Sequence, residues 1–163
     1  FRDTGAVLKS VASQAGISAA YVGKKYGFET STTDSVALLS DPGINTVVVA
    51  TRHDTHARYV CQALRSGRHV FVEKPLAIRR EELAEIESAI ADVATRNERL
   101  LLTVGFNRRF APHVQKIKAL MASLPEPKSF VMTVNAGAIP PAHWTQDPDI
   151  GGGRIVKKKI ESS

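Results

Sequence analysis

A carboxylate, an ammonium group and a proline stand side by side where an apolar run ends. The apolar run is Val70–Val72, and Glu73, Lys74 and Pro75 follow it directly. Burying such an ion pair is unfavourable unless partner groups surround it. A lysine in a dry cleft can hold or exchange the proton of a substrate hydroxyl, because desolvation and a carboxylate act oppositely on its proton affinity. The three residues therefore indicate a chemical site, with a surface ion pair at a strand end as the competing interpretation.

Polar side chains also follow two other apolar runs, at residues 45–51 and 99–106. In chain order these side chains are Thr51, Arg52 and His56, then Asn107, Arg108 and Arg109. The two arginines fit a phosphate contact and surface ion pairs equally well. His53 and His56 have a spacing that zinc sites use, but no third ligand is evident in the sequence, so no metal is expected.

Apolar runs alternate with segments of helical periodicity along most of the chain. Predicted strands cover residues 5–13, 45–51, 68–73 and 99–106, and predicted helices cover 17–28, 32–41, 54–67, 80–96 and 111–124. Strand–helix alternation of this kind predicts an α/β fold with a Rossmann-like, doubly wound parallel sheet. The uninterrupted apolar core of the second strand predicts that this strand is buried on both faces. Cys61 is expected in the core, on the apolar face of its helix.

Turn and capping residues indicate where several helices begin and end. Gly27 is placed to end the first helix, where a left-handed residue is common. Thr33 or Asp34 is expected to cap the second helix, and Asp54 the third, since short polar side chains accept from the first free N–H groups.

The three polar clusters all stand just past predicted strands, at the carboxyl end of each. Ligands of parallel sheets bind along that edge, where the ends of neighbouring strands meet. We therefore expect three clusters, Thr51–His56, Glu73–Pro75 and Gly105–Arg109, to converge on one site.

Composition and charge exclude several classes of protein. The 163 residues are 43% hydrophobic, which suffices for a packed core, and carry a net charge of +6. The basic residues are scattered and the aromatic residues, at 6%, do not alternate with them, so no nucleic-acid partner is expected. No apolar run approaches the ~20 residues of a membrane span, so no membrane contact is expected either. A single cysteine fits a reducing compartment and predicts a cytoplasmic protein.

The motifs resemble those of the Gfo/Idh/MocA oxidoreductases, NAD(P)-dependent sugar and cyclitol dehydrogenases with a Rossmann domain and an α/β substrate domain. The resemblance runs from Leu8 to Arg154. It is carried by VVVATRHDTHARYVCQALRSGRHVFVEKPLAI, LLTVGFNRRF and GGGR, at residues 47–78, 101–110 and 151–154. It implies a dinucleotide-binding domain over residues 1–124. The start of a substrate domain follows over 125–163, opening with a looser strand at 129–137.

The resemblance also implies roles for individual residues. Lys74 would be catalytic, holding the reacting oxygen beside the nicotinamide, and Glu73 would orient it and contact the nicotinamide ribose. Pro75 would set the turn, for which a cis Lys–Pro bond is available. The remaining cofactor-binding residues would be Thr51, Arg52 and His56 along the pyrophosphate and ribose, and Asn107 near the nicotinamide.

Cofactor and partners follow from the same resemblance. The cofactor would be NAD or NADP, and the substrate a small polyol or sugar. Ser13 and Gln14 occupy the strand end where an NAD-preferring site usually has an acidic residue, which leans weakly toward a 2′-phosphate. The protein is expected to form a homo-oligomer.

Two features of the family pattern have no counterpart in the sequence. No Gly-rich turn precedes the first predicted strand, and no Asp and His pair follows GGGRI. The chain is therefore expected to be an internal fragment whose sheet has unpaired edges, which would self-associate or leave an apolar groove. Most relatives have proline at the position of Arg52. The competing hypothesis is a non-catalytic protein of the same fold that binds a nucleotide, another ligand or a partner.

Overall fold

The computed structural model describes residues 4–96, 99–129, 131, 133, 135 and 137–153. The strands are β1 (Ser10–Ala12), β2 (Thr30–Thr32), β3 (Thr46–Val49), β4 (His69–Glu73) and β5 (Leu102–Gly105). The helices are α1 (Gly16–Tyr26), α2 (Ser35–Ser40), α3 (His56–Arg65), α4 (Arg80–Thr95) and α5 (Pro112–Met121). Short 3-10 turns cover His53–Thr55, Asn107–Phe110 and Trp144–Gln146. The predicted strand at 129–137 falls partly on residues outside the described part of the chain.

All strand pairs in the described residues are parallel, which confirms the α/β prediction. β1 pairs with β2, while β4 lies between β3 and β5 in a second sheet. The expected single sheet is therefore divided in two. The physical reason is that no strand among the described residues lies between β1 and β3 to exchange hydrogen bonds with both. One lateral edge of each of these strands is left unpaired, as the sequence predicts.

The hydrophobic core lies between the second sheet and helices α3 and α4. Inward-facing valines of β3 and β4 and the apolar faces of the two helices form it: Val47, Val49, Val70, Val72, Val60, Leu64, Ile86, Ala89 and Val93. Cys61 belongs to the same core, as predicted, and burial raises the pKa of its thiol.

The prediction that the first strand of the second sheet is buried on both faces is wrong, because the two faces of β3 differ in exposure. Val48 is 46% exposed, between the buried side chains of Val47 and Val49. Apolar composition reports only how well a strand tolerates burial, whereas the exposure of each face depends on what packs against it.

The first sheet is covered by α1 through a close contact at one glycine. Gly23 is buried, and a Cβ there would lie 2.0 Å from the Ser31 hydroxyl oxygen. Apart from Gly23, only Ala19 of this helix is buried. The two small residues allow the helix axis to approach β1 and β2, but they bury little apolar surface.

The helix ends agree with the sequence at two positions and differ at one. Asp34 accepts hydrogen bonds from Val36 N at 2.8 Å and Ala37 N at 3.0 Å and caps α2, while Gly27 ends α1 at φ 76°. Asp54 does not cap α3, because a 3-10 turn precedes the helix and moves the N-cap to Thr55.

Candidate functional site

Three loops meet at the carboxyl edge of the second sheet, as the sequence predicts. The strands end level, since Val49 is in register with Val72 and Glu73 with Gly105. The loop after β3 presents Thr51 and Arg52, the turn after β4 presents Lys74 and Pro75, and the turn after β5 presents Asn107. The side chains of Thr51, Arg52, Lys74 and Asn107 are exposed, while those of Glu73 and Pro75 are half-buried.

Gly105 makes room for the carboxylate of Glu73. A Cβ at residue 105 would lie 3.2 Å from Glu73 Oε2 and 3.2 Å from Phe71 Cζ. The glycine therefore leaves a small cradle beside the carboxylate, at the edge that a cofactor would approach. Sequence reasoning did not single out Gly105, and its only signal is a glycine at the end of an apolar strand.

The turn that follows β4 is fixed on its far side by the next helix. The Lys74–Pro75 peptide bond is cis, as the sequence reading allowed. After this bond, Glu82 of α4 accepts hydrogen bonds from Ile78 N at 2.8 Å and from Arg79 N at 2.9 Å. Lys74 thus projects from a segment anchored to α4.

His56 links the loop after β3 to the turn after β4. Its side chain is only 1% exposed. Nδ1 lies 2.7 Å from the carbonyl oxygen of Pro75, and Nε2 lies 3.0 Å from the carbonyl oxygen of Thr51. The imidazole therefore faces backbone groups of the two loops and not the solvent from which a cofactor would bind.

Residues 143–153, which we call the returning segment, border the site from the far end of the chain. Asp54 N donates to Ile150 O at 3.0 Å, and His53 Nδ1 lies 2.8 Å from Gly151 O. The His53 ring also packs edge-on against Trp144, with ring centroids 4.8 Å apart. The returning segment therefore contacts the same loop that carries Thr51.

The glycines of the returning segment are needed for its compact path. A Cβ at Gly151 would lie 2.4 Å from the Cα of Thr145, and one at Gly153 would lie 2.3 Å from the Thr145 carbonyl oxygen. At Gly152, with φ 68°, a Cβ would lie 2.9 Å from Ile78. Since Ile78 belongs to the turn after β4, the segment touches two of the three loops.

The arginines after β5 lie on an exposed turn. Arg109 places its guanidinium carbon 5.5 Å from the Phe110 ring centroid, and its carbonyl oxygen accepts from Gln115 at 2.6 Å. Within the part of the chain that the structure describes, neither Arg108 nor Arg109 forms a salt bridge. Of the two interpretations in the sequence, the surface ion pair is therefore not observed there.

Among residues 4–96, 99–129 and 137–153, no three His, Cys, Asp or Glu side chains are placed to share a metal ion. No described helix combines the length and the apolar character needed to cross a bilayer.

Parallel strands, helices packed on them and polar loops along the carboxyl edge define a nucleotide-binding protein of the Rossmann class. The sequence model of the Gfo/Idh/MocA family, described as "Oxidoreductase family, NAD-binding Rossmann fold", matches residues 2–106. The chain belongs to the Gfo/Idh/MocA family of oxidoreductases.

Individual relatives agree with this assignment. The chain is 30% identical over 139 residues to a myo-inositol 2-dehydrogenase of Thermotoga maritima, covering 84% of this chain and 39% of the relative. It is 35% identical over 91 residues to a scyllo-inositol 2-dehydrogenase (NAD(+)) of Bacillus subtilis, covering 56% and 25%.

A solved structure agrees with the same family assignment. A levoglucosan dehydrogenase in complex with NADH and levoglucosan superposes with a TM-score of 0.69 at 27% identity, covering 90% of this chain and 40% of that one. The chain thus spans well under half the length of these relatives.

Proposed function

We propose that this chain is the nucleotide-binding part of a dehydrogenase that transfers a hydride between NAD(P) and a hydroxyl-bearing carbon of a cyclitol or sugar. The observation that carries the proposal is the convergence of Thr51, Lys74 and Asn107 on one level edge of a parallel sheet. The named activities of the inositol and levoglucosan dehydrogenases support the substrate class.

The residues at this edge fit a dinucleotide. A larger side chain at residue 105 would crowd the Glu73 carboxylate, so Gly105 keeps room for this half-buried side chain at the edge of the sheet. In the proposed arrangement Thr51 and Arg52 contact the pyrophosphate and ribose, and Asn107 lies near the nicotinamide. When bound, the nicotinamide supplies the hydride chemistry.

Lys74 has the central chemical role in the proposal. In the oxidative direction a carbinol carbon would give up a hydride to the bound cofactor, and its hydroxyl would release a proton to water. The ammonium group of Lys74 donates hydrogen bonds to the reacting oxygen and stabilises the negative charge that grows there. No ion pair joins Glu73 to Lys74 among the described residues, so the proposal places the Glu73 carboxylate toward the nicotinamide ribose. The exposed position of Lys74 allows a substrate to reach it.

The choice between NAD and NADP depends on the end of β1. Ser13 follows this strand and Gln14 precedes α1, whose first turn contains no acidic residue. An acidic side chain there would repel a 2′-phosphate, so its absence from the described turn supports tolerance of NADP. One structural relative, a 3-ketoreductase from Actinomadura kijaniata, was solved in complex with NADP. It is 26% identical to this chain and superposes with a TM-score of 0.60.

Titration calorimetry with NAD and with NADP tests the proposal. We expect saturable binding that Lys74→Ala weakens roughly tenfold, because in the proposal Lys74 also binds the cofactor through a charge-assisted hydrogen bond at its nicotinamide end. Lys118→Ala, an exposed lysine on α5, is the matched control and should bind as the parent does. If neither nucleotide binds, the dehydrogenase proposal fails for this chain and the non-catalytic hypothesis is favoured.

A homo-oligomeric state and a cytoplasmic location complete the proposal. The unpaired edges of β1 and β3 and the exposed side chain of Val48 support self-association. The unpaired thiol of Cys61 supports a reducing compartment. Size-exclusion chromatography with light scattering tests the first point, and a clean monomer at high concentration would contradict it.

A further inference from the structure

His56 is a polar side chain that is almost completely buried. It is the first residue of α3, whose next buried residues, Ala57 and Val60, belong to the hydrophobic core. The backbone of His56 is therefore anchored to the most closely packed part of the molecule. From this position its ring reaches two loops that belong to different strands.

The two partners of the His56 ring are both hydrogen-bond acceptors. A neutral imidazole has one N–H and one bare nitrogen, so it can donate to only one of the two carbonyl oxygens. The contact of Nδ1 with Pro75, at 2.7 Å, is shorter than that of Nε2 with Thr51, at 3.0 Å. As part of the proposal below, we assign the ring proton to Nδ1, because its carbonyl partner is the nearer of the two.

The Pro75 carbonyl lies one residue from Lys74, and Thr51 begins the loop that follows β3. A shift of the turn after β4 would break the hydrogen bond from Nδ1 to the Pro75 carbonyl and is therefore opposed, while the same ring lies against the Thr51 carbonyl. The ring of His53 lies edge-on to the His56 ring, with centroids 5.5 Å apart, and contacts the returning segment through Gly151. The loop after β3 therefore contacts its neighbours through two histidine rings. His56 faces the turn after β4, and His53 faces the returning segment.

We propose that His56 is a positioning residue: it sets the separation between Thr51 and the Lys74–Pro75 turn, and hence the place where Lys74 meets the cofactor. It acts through the two carbonyl groups and does not touch the nucleotide. This inference rests on the proposed function, since it assigns a role toward the same site.

The first test is independent of cofactor binding. Nitrogen-15 NMR of the histidine rings in the intact chain should show a proton on His56 Nδ1, hydrogen-bonded and slow to exchange with solvent. A ring protonated at Nε2 only would overturn the inference, because Pro75 would then have no donor from His56.

The second test uses two variants that each retain half of the contact. The amide nitrogen of asparagine reaches about the position of Nδ1, and that of glutamine about the position of Nε2. His56→Asn should therefore keep the Pro75 contact and bind NAD or NADP within about threefold of the parent. His56→Gln should lose that contact and bind roughly tenfold more weakly. His113→Asn, on the exposed helix α5, is the matched control.

Backbone amide shifts separate failure of this inference from failure of the proposed function. In His56→Gln, the amide signals of Lys74 and Leu76 should move while those of α4 stay in place. If no nucleotide binds but these signals move, the proposed function fails and the positioning role stands. If the signals and the affinity are the same in both variants as in the parent, His56 does not position the turn.

Discussion

The two sheets of this molecule differ in how many apolar side chains are buried between each sheet and its helices. In the three-stranded unit, formed by β3 to β5 with α3 and α4, buried side chains come from both layers and form a continuous core. In the two-stranded unit, formed by β1, α1 and β2, Ala19 is the one buried hydrophobic residue among those described. Since burial of apolar surface contributes about 25 cal/mol per Å², the two units differ in local stability.

This difference separates the two ends of the proposed cofactor site. The loops that carry Thr51 and Lys74 extend from the three-stranded unit, while Ser13 and Gln14 lie on the two-stranded unit. We infer that the nicotinamide end of the site is preorganised by the core. The adenosine end relies on a thinner part of the structure, so binding there has to order more of the chain.

The largest expected effect comes from breaking the core of the three-stranded unit. Leu64 is 2% exposed, and Leu64→Ala should lower the free energy of unfolding by about 2–5 kcal/mol, because it removes packed atoms and leaves a cavity. Urea denaturation followed by circular dichroism measures the change. Leu101→Ala, at a residue 67% exposed, should change it by less than about 0.5 kcal/mol. Equal effects of the two variants would show that the core does not determine stability.

A smaller effect is expected at α2, which lies between the two units in the chain. Asp34→Ala removes both hydrogen bonds of the N-cap and should destabilise this helix by about 1 kcal/mol. Hydrogen exchange should show faster exchange of the Val36 and Ala37 amides, with the amides of β4 unchanged. Asp34→Ser is the control, because a serine hydroxyl can accept the same hydrogen bonds. Faster exchange throughout β4 would mean that the two units unfold together.

The sequence predicts the architecture better than it predicts which surfaces are covered. Apolar runs between helical segments are enough to place β3, β4 and β5 and to bring their polar ends together. They do not predict that the side chain of Val48 is partly exposed, because burial depends on what lies against a strand and not only on its composition.

Within the site, short-range features could be predicted and long-range contacts could not. The Glu73–Lys74–Pro75 turn is visible as a local motif, and so is the capping side chain of Asp34. The contact of His53 with Gly151 joins residues 98 positions apart, and the cradle at Gly105 depends on strand register. His56 could be identified as a candidate by its position, but its two carbonyl partners follow only from the fold.

The smallest expected effect concerns an ion pair at the edge of the two-stranded unit. Lys9 Nζ lies 2.5 Å from Glu29 Oε2, and this hydrogen bond, together with the charge of Glu29, raises the pKa of Lys9 above its ordinary value of 10.5. Because the folded-state pKa is the higher one, the contribution to stability is complete below pH 10.5 and is lost as the pH rises through the folded-state value.

NMR titration of the Lys9 side chain should therefore show a lower pKa in Glu29→Gln than in the parent. Both side chains are partly exposed to solvent, at 39% and 49%, so added salt should reduce the difference. The amides of β4 should not respond to the substitution at any pH. If they did, the two-stranded and three-stranded units would be coupled through β1. The conclusion that the two units differ in local stability would then be wrong.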